Sequence, residues 1–262
     1  MKDKFWETVE SIEPGYGWKL FSLGHILWLV LGALACAAVA LLYAHMHEKG
    51  RRATRLTVAI LLAVNIAVHQ VFFIVTKQWR LDHLPLHMCY FGAFIIMAHA
   101  FARKHSDVTA ALTYAISLPG ALLALATPNW SVLPFWNFSG ISSFIYHLLL
   151  IMYPVMLIAG GYRPQFRHLR PALPFIAGTA VAIFILNKAI GTDFLFINGG
   201  KTVGWLRAMT KIFGIYGYLW IFPVIMALLW TIQFLPFYLA ERHSAKKSET
   251  HENDTPSDIK TA

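Results

Sequence analysis

The chain alternates long apolar runs with short polar stretches. The runs lie at Leu20 to Tyr43, Leu56 to Val75, Leu84 to Phe101, Val108 to Thr127, Ile141 to Ala159, Pro171 to Ile190 and Ile215 to Leu239. A helix crossing a bilayer needs about 20 mostly apolar residues, and lipid admits only backbones that close their own hydrogen bonds. The pattern therefore predicts an all-α, polytopic membrane protein with about seven transmembrane helices. Residues 1–19 read as an interfacial segment, 20–240 as one seven-helix domain, and 241–262 as a polar, disordered cytoplasmic tail. Trp6, Tyr16 and Trp18 beside the charges of the N-terminal segment suit an amphipathic helix at the membrane surface.

Composition removes the soluble alternative. With 57% hydrophobic and 13% charged residues and a mean hydropathy of +0.55, 262 residues cannot hide their apolar surface inside one globule. The net charge of +9 does not read as a nucleic-acid footprint, because Lys and Arg sit between the spans and form no single run or face. They read as topology. Four lie between Lys49 and Arg55, two at Arg103 and Lys104, three from Arg163 to Arg170 and four in the tail. The alternate segments hold three before the first span, two at Lys77 and Arg80, none between Pro128 and Gly140, and three from Lys201 to Lys211. The excess predicts an outside N-terminus and a cytoplasmic C-terminus, in a multi-pass protein of the cell membrane. Two cysteines, Cys36 and Cys89, imply no disulfide framework.

That orientation gives each intramembrane polar residue a depth. At a rise of about 1.5 Å per residue, Cys89 lies some 8 Å inside the outer end of its helix and His147 some 9 Å. His25, Asn65, His69, His87, Asn187 and Lys188 fall near the same boundary, so one layer collects most of the polarity. Ionisable groups at such depth are costly and call for a role. A thiol is nucleophilic as thiolate, which a helix N-terminus and a neighbouring imidazole both favour. Cys89, soon after Pro85, is close to a helix start, and His147 on another helix is a candidate general base.

Each of these residues also has a purely structural reading. A cysteine is often a small buried hydrophobe, and His147 can cap a carbonyl of a neighbouring helix. Asn65 and His69, four residues apart, line one side of the second span, where interhelical hydrogen bonding explains them equally well. Lys188 can snorkel outward or, beside Asn187, pair with a carboxylate or lipid phosphate. His83 and His87 have the four-residue spacing of metal ligands, but Cys89 leaves their face unless the helix breaks at Pro85, so no metal and no cofactor is expected. The uncharged loop from Thr127 to Phe138, rich in Trp and Phe, suits the membrane surface or a lid.

Three stretches carry a resemblance: Leu84-Pro-Leu-His-Met-Cys89, Leu118-Pro-Gly120 through Thr127-Pro128, and Phe144-Ile-Tyr-His147. Together they resemble the YwaF family of bacterial integral membrane proteins, which is similar to eukaryotic transmembrane protein 164. The resemblance implies an acyltransferase that moves fatty acyl chains between phospholipids or other acyl lipids through a cysteine thioester, with Cys89 and His147 as the working pair. His25, Asn65, His69, His87, Asn187 and Lys188 are then the candidates for substrate or oxyanion contacts. The competing expectation is a transporter or small-molecule binding protein with a polar outer-leaflet pocket. It ranks second because the inner halves of the spans hold little polarity apart from His99.

Overall fold

The computed structural model describes residues 4–104, 106–199 and 204–253. Among them no strand occurs, and seven helical stretches are long and apolar enough to cross a membrane. The helices are α1 (Leu23–His45), α2 (Glu48–Val75), α3 (Met88–Phe101), α4 (Asp107–Leu112), α5 (Leu118–Ala126), α6 (Phe138–Ala159), α7 (Leu173–Ile190) and α8 (Gly204–Asn253). A π-helical segment, Thr113–Ser117, joins α4 to α5, so the three make one crossing.

Helix α6 is the axis of the bundle. In its most apolar window 56% of residues are buried, against 22% for α1 and for α2. It packs on α1, α2, α3, α5 and the π segment. Lipid tails are as apolar as leucine, so helices associate where small residues let backbones approach. The buried side of α1 accordingly carries Gly32, Cys36 and Ala40, and a β-carbon on Gly32 would run into the Leu148 side chain of α6.

The start of α6 is tied to the N-terminal segment by one buried side chain. Asn137 caps the helix, its Oδ1 accepting from the Ser139 and Gly140 amides at 2.9 and 3.3 Å. Its Nδ2 donates to the Lys4 and Glu7 carbonyls at 3.0 and 2.9 Å. Residues 4–22 thus lie across this end of the bundle, but as turns and not as the expected amphipathic helix. Pro14, Gly15 and Gly17 interrupt any helix there, and Gly15 adopts φ 106°.

The π segment has a clear cause and consequence. Pro119 has no N–H for the carbonyl four residues earlier, that of Ala115, and the wider turn shifts its neighbours' bonds. Helix α8 supplies the missing donors. Trp230 Nε1 donates to the Ala115 carbonyl at 3.1 Å and Gln233 Nε2 to that of Tyr114 at 3.4 Å, while the Tyr114 hydroxyl donates back to the Gln233 carbonyl at 2.9 Å.

Boundaries move where polar residues extend a helix past its apolar run. Helix α2 starts at Glu48, two turns before Leu56. The third crossing is broken: a 3-10 turn at Leu81–His83 is followed by four non-helical residues around Pro85, and α3 begins only at Met88. Helix α8 kinks at Gly214, φ 68°, and continues to Asn253, so Glu241 to Asn253 are helical where a disordered tail is expected. The rest of that tail lies outside the described residues, as do Lys2, Lys201 and Lys260 of the charge count.

Candidate functional site

Cys89 is the second residue of α3, in the first helical turn. His87 is the N-cap, and its carbonyl accepts from the Tyr90 and Phe91 amides at 2.9 and 3.2 Å. The Met88 and Cys89 amides have no intrahelical acceptor. They are the orphan donors at a helix start, with the positive end of the helix dipole behind them. The Cys89 side chain is half-buried and free of any disulfide.

The same turn is held by α6. The Tyr146 hydroxyl donates to the Cys89 carbonyl at 3.0 Å, and the Tyr146 ring stands 5.6 Å from that of Tyr90. His147, the next residue, is buried. Its Nδ1 donates to the Ser143 carbonyl at 2.7 Å, because a carbonyl can only accept. That fixes the neutral tautomer with the lone pair on Nε2, and Nε2 has no hydrogen-bond partner among the described residues. Trp130 stacks on the imidazole at 5.2 Å and 20°. It comes from the aromatic loop, which sends Trp130 and Leu133 into the core while Trp136 stays exposed.

The other candidate residues are separate. Among the described residues no hydrogen bond joins any of the eight to another. His25 uses both ring nitrogens: Nδ1 accepts from the Phe21 amide at 2.9 Å and Nε2 donates to the Leu125 carbonyl at 2.8 Å. Asn65 Nδ2 donates to the Ser142 hydroxyl at 2.9 Å and carbonyl at 3.2 Å, which joins α2 to α6. Asn187 is fully buried and organises the turn after α7: Oδ1 accepts from Thr192 Oγ1 and the Phe194 amide, and Nδ2 donates to the Phe194 carbonyl. The side-chain donors of His25 and Asn65 are all engaged inside the fold, and Asn187 is fully buried with one Nδ2 bond to its own turn. Lys188 is exposed and lies over the Phe184 ring at 5.4 Å; no carboxylate pairs with it among the described residues.

His69 and His87 differ, because each keeps a buried nitrogen without a partner, Nε2 in His69 and Nδ1 in His87. His69 stacks on Phe73 at 5.2 Å. His87 meets Phe196 at 5.0 Å and Phe194 at 5.4 Å, both from the turn that Asn187 builds. Although the break at Pro85 is real, His83 turns away, stacking on Phe73 at 3.8 Å with Nε2 3.6 Å from Glu10. Among the described residues no three His, Cys, Asp or Glu side chains gather as a metal ion requires.

The family model described as the TMEM164 family matches residues 20–238. The chain belongs to the TMEM164 family. The match takes in six crossings whole and the seventh through Tyr238, with Cys89, Tyr146 and His147, and leaves out the N-terminal segment through Lys19. No curated protein and no solved structure matches the chain.

Within this TMEM164-family chain the structure adds residues that the sequence reading leaves unassigned. Tyr146 stands inside the Phe144-Ile-Tyr-His147 stretch, beside the histidine. Ser117, whose buried hydroxyl has no partner, faces Gly92, one turn beyond Cys89 on α3. Trp130 reads equally as an interfacial belt residue, and nothing in its local sequence separates the two placements.

Proposed function

We propose that this protein is an integral membrane acyltransferase of the cell membrane that moves fatty acyl chains between lipids through Cys89. The observation that carries the reading is the hydrogen bond from Tyr146 to the Cys89 carbonyl. It joins α6, one residue from a histidine with an unoccupied Nε2, to the helix start that bears the thiol. Membership of the TMEM164 family, and the resemblance of the Cys89 and His147 stretches to its acyltransferase, support it.

In this mechanism His147 Nε2 takes the proton from the Cys89 thiol. The thiolate forms a C–S bond to a lipid ester carbonyl, the ester C–O bond breaks, and the leaving alkoxide recovers the proton from His147. A hydroxyl of a second lipid, deprotonated by His147, then attacks the thioester and releases the thiol. The developing oxyanion is met by the Met88 and Cys89 amides, in place of Asn65, whose donors are engaged, and of Asn187, which is fully buried. Losing one such donor typically slows a reaction ~100-fold or more. With the N-terminal segment outside, the site lies just below the outer-leaflet headgroups, where ester carbonyls are present and water is scarce.

The test combines a thiol-directed activity probe with intact-protein mass measurement in a lipid-containing preparation. An acyl adduct is expected on Cys89, accumulating when acceptor is withheld and lost in Cys89→Ala. Full lipid transfer by both Cys89→Ala and His147→Ala rules the mechanism out.

A further inference from the structure

At the opposite end of the bundle, where the α1–α2, α3–α4 and α6–α7 connections lie, there is a second polar site. A cleft of about 160 Å³ is lined there by Glu48, Arg51, Arg55, His99, Asp107 and Tyr162, among others. By α3's rise of about 1.5 Å per residue, His99 is some 15 Å from Cys89, so the cleft is independent of the proposed acyl-transfer site.

Its floor is a buried guanidinium. Arg55 is only 4% exposed. Nη1 donates to the Tyr43 hydroxyl at 2.7 Å and Nη2 to Glu48 Oε1 at 2.6 Å, but the buried Nε has no acceptor. A guanidinium has donors only, and leaving one buried without an acceptor is unfavourable. Having accepted from Arg55, the Tyr43 hydroxyl still has its own hydrogen to give, and no acceptor for it is present among the described residues. The floor therefore offers two donors to an anion. Arg51 adds charge, and three of its five N–H groups close the ends of α1 and α6 on the Tyr43, Ala44 and Gly160 carbonyls.

The rim has the opposite sign. The side chains of Glu48 and Asp107 are 71% and 70% exposed. A bare anion meets these two carboxylates, and a bare cation meets two guanidinium groups. A ligand with an anionic end and an ammonium end avoids both repulsions and satisfies the buried donors. The volume has room for on the order of ten water molecules, which suits a headgroup and not a lipid tail. All the helix ends that form it lie where apolar spans give way to charge, at the depth of lipid headgroups.

The geometry points to a binding site for an ammonium–phosphate zwitterion, with the phosphate on Arg55 Nε and the Tyr43 hydroxyl and the amine between Glu48 and Asp107. Such a group is offered by a lipid phosphoethanolamine headgroup or by free phosphoethanolamine. The test is calorimetric titration of the full-length Cys89→Ala protein in detergent, so that turnover at the thiol does not enter. The probes are dihexanoyl-phosphatidylethanolamine, dihexanoyl-phosphatidylglycerol, free phosphoethanolamine and inorganic phosphate.

The two amine-bearing probes are expected to bind and the other two to bind at least about tenfold more weakly, the worth of one charge-assisted contact. If the lipid binds much better than free phosphoethanolamine, the source is the membrane; equal binding makes it the soluble compound. Arg55→Lys keeps a cation beside Glu48 but removes Nε, and weakens both amine probes. The double variant Glu48→Gln, Asp107→Asn changes only exposed side chains, so it remains interpretable if Arg55→Lys does not fold; it abolishes the preference over phosphatidylglycerol. Wild-type binding that ignores the amine, or an unchanged preference in the rim variant, overturns the assignment.

Discussion

The Tyr146 hydroxyl reaches across from α6 to the carbonyl of Cys89 at 3.0 Å, so the residue before the candidate base anchors the turn that carries the candidate nucleophile. Tyr146→Phe removes that bond and little volume. A loss of about 1 kcal/mol in unfolding free energy is expected, read by denaturant titration in detergent. Lipid-transfer rate is expected to fall about tenfold, as for a mispositioned reacting group.

The two thiols differ in exposure, Cys89 being half-buried and Cys36 buried. Cys36 is buried and its Sγ donates weakly to the Leu148 carbonyl at 3.7 Å. A membrane-permeant thiol reagent is expected to modify Cys89 and spare Cys36 in the folded protein, which peptide mapping resolves. Cys36→Ala leaves the labelling unchanged.

The donors from α8 to the π segment can be tested as a cycle. Trp230→Phe leaves the Ala115 carbonyl unpaired in an apolar setting, at an expected cost of about 1–3 kcal/mol. Adding Pro119→Ala restores a backbone N–H for that carbonyl. The double variant is expected to unfold at a higher temperature than Trp230→Phe alone.

Close approach of α3 to the π segment depends on a missing β-carbon. One built on Gly92 lies 2.7 Å from Ser117 Oγ and 3.3 Å from Ser117 Cβ. Gly92→Ala is expected to destabilise by about 1–3 kcal/mol through overpacking, and Ser117→Ala in the same chain to recover part of it. Thermal unfolding of the two single variants and the double reads this coupling.

Asn187→Leu removes three buried hydrogen bonds that shape the turn through Phe194. A loss of about 2–3 kcal/mol follows from about 1 kcal/mol per bond. Faster limited proteolysis between Thr192 and Asn198 is expected to accompany it, because Leu195 and Phe196 hold left-handed φ values of 57° only while the turn is clamped.

The crossings were legible because lipid imposes its demand locally: each run of apolar residues must satisfy its own backbone, whatever its neighbours do. The start of α3 was misplaced: Pro85 suits a first helical turn, but the chain stays non-helical through His87 and the helix begins at Met88. The N-terminal segment misled, since Trp6, Tyr16 and Trp18 fit an amphipathic helix in composition, while Pro14, Gly15 and Gly17 favour the turns that Asn137 clamps. Helix α2 began earlier than its apolar run because Glu48, Arg51 and Arg55 fold back onto partners on α1, α6 and each other.

Depth along a helix follows from residue number, so the sequence alone determined that His25, Asn65, His69, His87, Cys89, His147 and Asn187 lie toward one end of the bundle. Rotation about each helix and the partner met across it do not follow from residue number. Those were decided by packing: Asn65 turned to Ser142, Asn187 to its own turn and His25 to the ends of two helices, while Tyr146 bonded the Cys89 carbonyl and His147 stacked on Trp130. At the other end, Arg55 counted as one more loop charge until Tyr43 of α1 and Glu48 of its own helix closed on it. A buried guanidinium can be recognised only once the tertiary structure has removed its water.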